Sequence, residues 1–191
     1  MEERQIIRCY KFGVYHLLPG QTTEQQALAN PCGDTTGDTS IFTLWQGYQI
    51  MFHCAPLLPF DPKDHQQVER RRFIGNDIVV IVFKECDDND EFDLGSVGSR
   101  QNHIICVVRP IRSKSGSQVE SYRVAIAVKD GIRDFVPLTF PAVLQRDDAS
   151  RDLLLLKLIC GERAAYGAKA FATQLLRTRE SLLRDAIEAC R

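Results

Sequence analysis

The 191-residue chain lacks an excess of charge of either sign, because 24 lysines and arginines stand against 25 aspartates and glutamates. This balance argues against a general nucleic-acid binder, which needs a basic excess, and against an acidic disordered chain. Long apolar runs are also missing: segments such as Ile78–Phe83 and Leu153–Leu156 are far too short to span a bilayer. The charged N-terminus, MEERQIIRCYK, has no apolar segment of the kind found in secretory signals. We therefore expect a cytoplasmic protein without a membrane span.

Motifs of common nucleotide, metal and redox sites are missing as well. There is no G-x-x-x-x-G-K-[ST] phosphate loop, and the nearest string, GERAAYGAK at 161–169, has the wrong spacing. The acidic loop 87–93 resembles the start of a calcium loop but has Phe92 at the sixth position, where such a loop needs glycine. The seven cysteines are odd in number and form no C-x-x-C pair, which disfavours a disulfide framework and favours a reducing compartment. We expect no metal site and no cofactor, while a Cys–His pair that meets only in space stays open.

What the chain does contain is enough apolar residue, 44%, for one substantial core. Continuous and alternating apolar runs predict strands, and Gln46-Gly47 predicts a hairpin turn between two of them. The run IVVIVF at 78–83 is typical of a strand that is buried on both faces. The predicted strands are 10–18, two short ones within 41–54, 78–83, 104–108 and a half-exposed antiparallel one at 122–128. The predicted loops and connections are 19–40, 85–93, 112–121 and 130–146.

Helices are predicted in the middle and at the end of the chain. Asp61 is a good N-cap and Pro62 suits a first helical position, so a helix is predicted from there to Gly75. The last 44 residues are predicted to be helical, with two apolar stripes and with Gly161 or Gly167 dividing them. The stripes are Leu154, Leu158 and Ile159, then Phe171, Leu175, Leu182 and Ala186. The order of strands and helices indicates one α/β or α+β domain.

One segment, VERRRFIGNDIVVIVF at 68–83, combines a basic helix end with a buried strand. On a helical projection Arg72, Phe73 and Asn76 lie three and four residues apart and therefore share a face. A guanidinium, an aromatic ring and a carboxamide at the end of an element suit contact with another molecule. The residues alone leave open whether this is a contact site or simply a solvated helix end.

The longer string QIMFHCAPLLPFDPKDHQQVERRRFIGNDIVVIVF at 49–83 resembles the catalytic core of the Rap/Ran GTPase-activating protein family. The family hallmark is a helix that reads roughly K-R-H-[IL]-G-N-D before a buried strand, and here 71–77 reads RRFIGND. The sequence is similar above all to the Rap-specific activators and the signal-induced proliferation-associated proteins, and less so to tuberin and the Ral activators. The likeness continues at 10–26, 102–110, 122–131 and 152–171, which covers nearly the whole chain.

The resemblance implies an α/β fold with a central mixed β-sheet flanked by helices. It implies a single Rap/Ran-GAP domain over 1–191, with a shortened N-terminal region at 1–40 and the catalytic core at 41–191. Members of the family stimulate GTP hydrolysis by small GTPases by inserting an asparagine, the thumb, into the active site of the GTPase. In this sequence the matching residue is Asn76, and GTP and magnesium belong to the partner rather than to this chain.

The resemblance also implies a contact surface for a Rap-like small GTPase. The residues expected there are Arg70, Arg71, Arg72, Phe73, Asp77, Arg100, Gln101 and His103. Three features depart from the family pattern: Phe73 replaces the usual histidine, Gln101 replaces an aromatic residue, and the segment 27–40 is short, which leaves dimerisation open. The expected role is therefore that of an activator without a reaction of its own. The alternatives are a GTPase-binding scaffold with weak activation and an activator of a Ral- or Rheb-like GTPase.

Overall fold

The computed structural model of the chain describes residues 7–16, 41–84, 92–113 and 118–190. In these ranges the strands are β1 Ile7–His16, β2 Ile41–Trp45, β3 Tyr48–Phe52, β4 Val79–Lys84, β5 Ile104–Arg112, β6 Val119–Val128 and β7 Val143–Gln145. The α-helices are α1 Val68–Gly75, α2 Asp148–Tyr166 and α3 Lys169–Ala189. Two short 3-10 helices cover Ala55–Leu57 and Leu94–Ser96. The strands form one sheet in the order β2-β3-β1-β4-β5-β6-β7.

β4 lies in the middle of this sheet, where the run IVVIVF predicts a buried strand. It pairs in parallel with β5 and antiparallel with β1, and the other neighbouring strands in the sheet are antiparallel to each other. Val79, Val80 and Val82 are fully buried because both faces of β4 are covered. The predicted buried strand and the mixed sheet are therefore confirmed.

The two faces of the sheet carry different layers. On one face the main core joins Val79 of β4 and Ile104 of β5 to Leu158 of α2. On the other face Val80, Val82 and Ile105 form a smaller cluster. The half-buried side chains that pack against this cluster are Ile74, Phe92, Val97, Val107 and Ala127. Since Ile74 belongs to α1, the end of α1 is anchored on the sheet face opposite to α2.

The local turn and strand predictions mostly hold. Gln46 and Gly47 both have positive φ, 46° and 79°, and Trp45 pairs with Tyr48, which is the geometry of a two-residue hairpin turn. In β6 the side chains of Tyr122, Val124 and Ile126 belong to the main core, as the alternation of apolar residues predicts, but Val128 at the end of the strand is 41% exposed. The connection 130–146, however, contains the short strand β7, which the sequence prediction missed because only three residues of it pair with β6.

The C-terminal helices are confirmed, and the division between them falls at Gly167, which caps α2. Gly161 does not divide the helices but lies buried inside α2. A Cβ atom added at Gly161 would lie 2.5 Å from Cδ1 of Ile104, so glycine lets α2 approach β5 closely. The second predicted stripe runs onto the surface, since Leu182 of α3 is 62% exposed.

α1 is shorter than the sequence predicts. It ends at Gly75 as expected, but it begins at Val68 rather than next to Asp61. The carboxylate of Asp61 accepts a hydrogen bond from the backbone N–H of Lys63 at 2.8 Å, which closes a turn instead of capping a helix. Gln67 has a φ of 50°, a left-handed conformation that cannot continue a right-handed helix. The predicted helix start is therefore wrong.

Several predictions fall outside the described residues: the loops at 19–40 and 85–91, residues 114–117 of the polar turn, and the short segment 27–40. None of the described helices is both long and apolar enough to cross a membrane. The cysteines whose side chains are described are free thiols, namely Cys54, Cys106, Cys160 and Cys190.

Candidate functional site

The predicted thumb, Asn76, is the residue directly after the last turn of α1. Its side chain is exposed, and its backbone adopts φ −90° and ψ 0°. Its N–H donates to the carbonyl oxygens of Arg72 at 3.2 Å and Phe73 at 3.4 Å, which closes the helix. The Asn76 carboxamide makes no hydrogen bond to any of the residues that the structure describes. The fold thus presents a carboxamide on a capped helix end.

A loop before β5, residues 99–103, holds the chain on both sides of Asn76. The hydroxyl of Ser99 donates a short hydrogen bond to the carbonyl of Gly75. The side-chain amide of Asn102 donates to the carbonyl of Ile74 at 3.0 Å and to that of Asp77 at 2.7 Å. Asn102 is 1% exposed, so these bonds lie inside the protein. Three carbonyls at the end of α1 are therefore satisfied by side chains of this loop.

The loop is itself tied to the end of β6. Lys129 donates from Nζ to the carbonyl of Ser99 at 2.7 Å and to that of Arg100 at 3.4 Å. Its backbone N–H donates to the carbonyl of His103 at 2.9 Å. Partial burial against these carbonyls lowers the pKa of Lys129. The loop is thus fixed at both ends, by Lys129 on one side and by the start of β5 on the other.

The exposed residues of the predicted contact surface lie on two adjoining elements. Arg71 and Arg72 are exposed on α1, while Arg100 and Gln101 are exposed on the loop that Lys129 braces. The side chain of Arg70 lies outside the described residues.

Phe73, which replaces the usual family histidine, is half-buried. Its ring lies 5.5 Å from that of His53, in an edge-to-face arrangement with an interplanar angle of 70°. The apolar ring therefore packs beside an imidazole that follows β3.

Two residues predicted to contact the partner are buried instead. Asp77 is 4% and His103 6% exposed; Asp77 lies two residues before β4, and His103 directly precedes β5. The Nδ1 atom of His103 lies 2.7 Å from the carbonyl oxygen of Gln101, and its ring centroid is 4.6 Å from that of Phe171. Neither side chain therefore forms part of the exposed surface on which Arg71, Arg100 and Gln101 lie.

Sequence reasoning did not assign a role to Ser99, Asn102 or Lys129. Their partners lie 24 to 30 residues away along the chain, so no local spacing marks them. The only signal was indirect: Ser99 and Asn102 belong to the string SRQNH that was compared with the family pattern.

The chemistry of the site is that of an exposed carboxamide among cationic side chains. A carboxamide both donates and accepts hydrogen bonds, so it can orient a water molecule and contact a phosphate oxygen together. Arg71, Arg72 and Arg100 supply positive charge on the same two elements, and Lys129 adds its ammonium group from the end of β6. In the described ranges no three His, Cys, Asp or Glu side chains form a group that could hold a metal ion. The arrangement is suited to orienting a water molecule and to stabilising negative charge on a phosphate group.

Comparison with known proteins identifies relatives over most of the chain. The Rap/ran-GAP family model matches residues 14–180. The GTPase-activating Rap/Ran-GAP domain-like protein 3 of Danio rerio is 35% identical over 97% of this chain and 21% of its own length. The human signal-induced proliferation-associated 1-like protein 3 is 36% identical over 100% of this chain and 12% of its own length. This chain thus spans about a fifth or less of these two relatives.

A solved structure supports the fold. The structure of the TSC2 GAP domain matches with a TM-score of 0.56 and 20% sequence identity, covering 80% of this chain and 78% of that chain. At this identity the likeness concerns the arrangement of strands and helices alone. The segment matched by the family model includes α1, Asn76 and the loop 99–103, and a match of this extent places the chain in the Rap/Ran-GAP family.

Proposed function

We propose that this chain is a GTPase-activating domain that acts on a Rap-like small GTPase and supplies Asn76 to its active site. The observation that carries the proposal is the exposed Asn76 carboxamide on a helix end whose backbone carbonyls are held from within. Membership of the Rap/Ran-GAP family and the relatives named for GTPase activation support it. We further propose that the whole of 1–191 forms this one domain and that it acts in the cytoplasm.

Phosphoryl transfer needs positioning and electrostatic stabilisation more than covalent chemistry from the protein. The Asn76 carboxamide would accept a hydrogen bond from the attacking water and donate one to a phosphate oxygen. Because the Asn76 backbone is already fixed, little conformational entropy remains to be lost when the complex forms. GTP and magnesium are bound by the partner, so this chain needs no cofactor and catalyses no reaction alone.

The exposed arginines of α1 and the loop would act earlier, during encounter. Arg71, Arg72 and Arg100 form a positive surface on a chain whose net charge is −1. Such a patch steers association with an acidic or phosphate-bearing surface and is screened by salt. Phe73 would provide apolar contact beside Asn76.

A second candidate is a GTPase-binding scaffold with weak activation. It is favoured by the half-buried Phe73 ring, which packs on His53 and has no ring nitrogen where the family usually has a histidine. The exposed Gln101, which stands in place of the aromatic residue of relatives, also favours the scaffold. An activator of a Ral- or Rheb-like GTPase differs from the first proposal only in the partner.

Single-turnover GTP hydrolysis by purified Rap-, Ral- and Rheb-type GTPases, measured against activator concentration, tests these candidates. We expect stimulation to be strongest for a Rap-type GTPase and Asn76→Ala to abolish most of it, since a group supplied in trans contributes roughly 10³–10⁵-fold. Gln66→Ala removes another exposed carboxamide, on the approach to α1, and serves as the matched control.

The outcomes separate the candidates. If Asn76→Ala still stimulates within a few fold of wild type at saturation, the thumb assignment is wrong. Binding without stimulation by the wild-type chain would support the scaffold. Stimulation confined to the Ral- or Rheb-type GTPase would show that the proposed Rap-like partner is wrong, while the proposed role of Asn76 would still hold.

A further inference from the structure

We propose that Ser99 and Asn102 are positioning residues for Asn76: together they fix the chain on both sides of the thumb and so set the maximal stimulated rate. This inference rests on the proposed function, and it adds a role for two residues that hold the backbone around Asn76. Neither side chain makes a hydrogen bond to the exposed carboxamide of Asn76. They act on the backbone that carries it.

The C-terminal end of a helix normally lacks hydrogen-bond partners for its last backbone carbonyls. The last four carbonyls of an α-helix have no partner within the helix, and they are usually satisfied by water or by a local cap. At the end of α1, the carbonyls of Ile74 and Gly75 accept hydrogen bonds from side chains 28 and 24 residues away, and Ile74 also accepts a long local bond from the N–H of Asp77 at 3.4 Å. A distant partner fixes the position of the helix end relative to the sheet, which a local cap does not do.

Asn102 contributes the stiffest part of this arrangement. Its planar amide uses one nitrogen to bridge the carbonyls of Ile74 and Asp77, which lie two residues before and one residue after Asn76. Asn102 is 1% exposed and directly precedes His103, whose N–H donates to the carbonyl of Ile78 at 2.8 Å. The bridge is therefore attached to the junction of β4 and β5, the parallel pair at the centre of the sheet.

Ser99 completes the arrangement from the other side of the loop. Its hydroxyl donates to the carbonyl of Gly75 and accepts from the N–H of Gln101 at 3.1 Å. Lys129 holds the carbonyl of Ser99 at 2.7 Å, so the hydroxyl is presented by a braced loop. The residue immediately before Asn76 is thus fixed independently of Asn102.

A positioning role has a kinetic signature that a loss of stability does not have. When a substitution only lowers the folded fraction, adding more activator restores the full rate at saturation, and only the half-saturating concentration rises. When the thumb is misplaced in a folded protein, the saturated rate stays low at any activator concentration, because misplacement near 1 Å costs on the order of 100-fold.

The variants are chosen to keep volume while changing the hydrogen bonds. Ser99→Ala removes the donor to Gly75 and the acceptor for the N–H of Gln101, and Ser99→Thr keeps the hydroxyl. Asn102→Asp keeps the shape but turns a carboxylate toward two carbonyl oxygens. Ser96→Ala is the matched control, since its hydroxyl donates to the carbonyl of Asp93 in the same connection but does not reach α1.

We expect the saturated single-turnover rate with a Rap-type GTPase to fall about 10-fold for Ser99→Ala and about 100-fold for Asn102→Asp, in the range of misplaced catalytic groups. Ser99→Thr should recover most of the rate, and Ser96→Ala should match wild type. A rise in half-saturating concentration with an unchanged saturated rate would overturn the proposal.

A second measurement needs no GTPase and separates this proposal from the function on which it rests. The ¹⁵N order parameter of the Asn76 backbone amide should be near the rigid value of about 0.85 in wild type and should fall toward about 0.6 in Ser99→Ala. If wild type stimulates no GTPase, the proposed function fails while this result still decides the positioning role. An equally rigid Asn76 in Ser99→Ala and Asn102→Asp would overturn it.

Discussion

The two ends of α1 are built from different kinds of contact. On the approach to its N-terminus, the Asp64 carboxylate accepts from the backbone N–H groups of Gln66 at 3.0 Å and Val68 at 2.6 Å, and Gln67 donates to the carbonyl of Asp64. All these partners lie within four residues of each other. At the C-terminus, side chains of the loop 99–103 donate to the carbonyls of Ile74 and Gly75, in addition to the local bond from the N–H of Asp77 to Ile74.

This difference assigns separate tasks to the two ends. Local turns at the surface shape the chain but do not fix it relative to the sheet, because both partners move together and water can replace either. Bonds between distant segments connect the helix end to the central strands, and one of them is buried with Asn102. The proposed thumb is found at the end that carries the long-range bonds, as a catalytic group held in a fixed position requires.

The largest effect should come from moving or charging the thumb itself. Asn76→Gln keeps the carboxamide but displaces it by one methylene, and we expect the saturated rate to fall on the order of 100-fold. Asn76→Asp should fall further, about 1,000-fold or 4 kcal/mol, since it loses the donor and adds repulsion beside the phosphate. Single-turnover hydrolysis measures both. A carboxylate that works as well as the longer carboxamide would contradict the water-orienting role.

Glu162 contrasts with Asn102, because it is a buried ionisable side chain whose surroundings disfavour its charged form. Glu162 is buried in α2, and desolvation raises the pKa of its carboxyl from 4.5 to about 7, against the lowering effect of Arg163. The folded state therefore binds the carboxyl proton more tightly than the unfolded state does, and this adds to the free energy of unfolding. The contribution is complete below about pH 4.5 and is lost as the pH rises through about 7. The loss should approach about 3 kcal/mol.

Urea denaturation of wild type and Glu162→Gln from pH 5 to pH 8 measures this loss. The variant should show a much flatter stability profile and should be the more stable protein at the upper limit. Parallel profiles for the two proteins would show that Glu162 is ionised at neutral pH in the folded state.

Removing the buried bridge should affect stability more than removing any of the local turns. Asn102→Ala loses two hydrogen bonds to backbone carbonyls, and at about 1 kcal/mol each this predicts a loss of about 2 kcal/mol in the free energy of unfolding. Urea denaturation measures the loss. Because Asn102 is buried in the loop before β5, an unchanged midpoint would mean that water replaces the amide without cost and that the C-terminal end of α1 is held no better than the N-terminal one.

The features that the sequence predicted correctly depend on local contacts, and those that it missed depend on contacts between distant segments. IVVIVF identified β4 because a strand covered on both faces needs a continuous apolar run, and Gln46-Gly47 identified the hairpin because both residues must adopt positive φ. Such signals are local. The placement of Asn76 at a helix end, next to a buried strand, was also readable from RRFIGND, although its proposed role came from family resemblance.

The failures have physical causes of two kinds. At Asp61 the local signal was ambiguous, since the same carboxylate that caps a helix also closes a turn, and the left-handed Gln67 decides for the turn. For Ser99 and Asn102 no local signal exists, because their partners are brought near only when β4 and β5 pair. A residue such as His103 was assigned to the surface for the same reason, since burial depends on the assembled sheet.

The N-terminal approach should tolerate substitution. Asp64→Ala removes the two bonds to Gln66 and Val68, and the loss of a capping carboxylate predicts about 1 kcal/mol less stability. The saturated rate should remain that of wild type, because the C-terminal end is held independently. Denaturation and single-turnover hydrolysis on the same samples test both statements. A fall in saturated rate larger than that of Ser99→Ala would remove the distinction between the two ends.

The smallest expected effect concerns Phe73, which lies between the two ends of α1. Phe73→His restores an imidazole beside Asn76 and should tighten binding to the preferred GTPase by about one hydrogen bond, roughly 0.5–1.5 kcal/mol. Because the ring lies 5.5 Å from that of His53, two protonated imidazoles would repel each other. Equilibrium binding of wild type and variant to the GTPase, measured under the same buffer conditions, gives the change in affinity.

Phe73→Leu is the matched control for this variant, since it keeps apolar bulk and has no ring nitrogen. Tighter binding by the histidine variant alone would show that the surface beside the thumb retains a partner for the imidazole. Equal or weaker binding of both variants to every GTPase tested would show instead that the Phe73 ring, packed on His53, is fitted to its own partner. In either case the saturated rate should change little, because Phe73 does not hold the backbone that Ser99 and Asn102 fix.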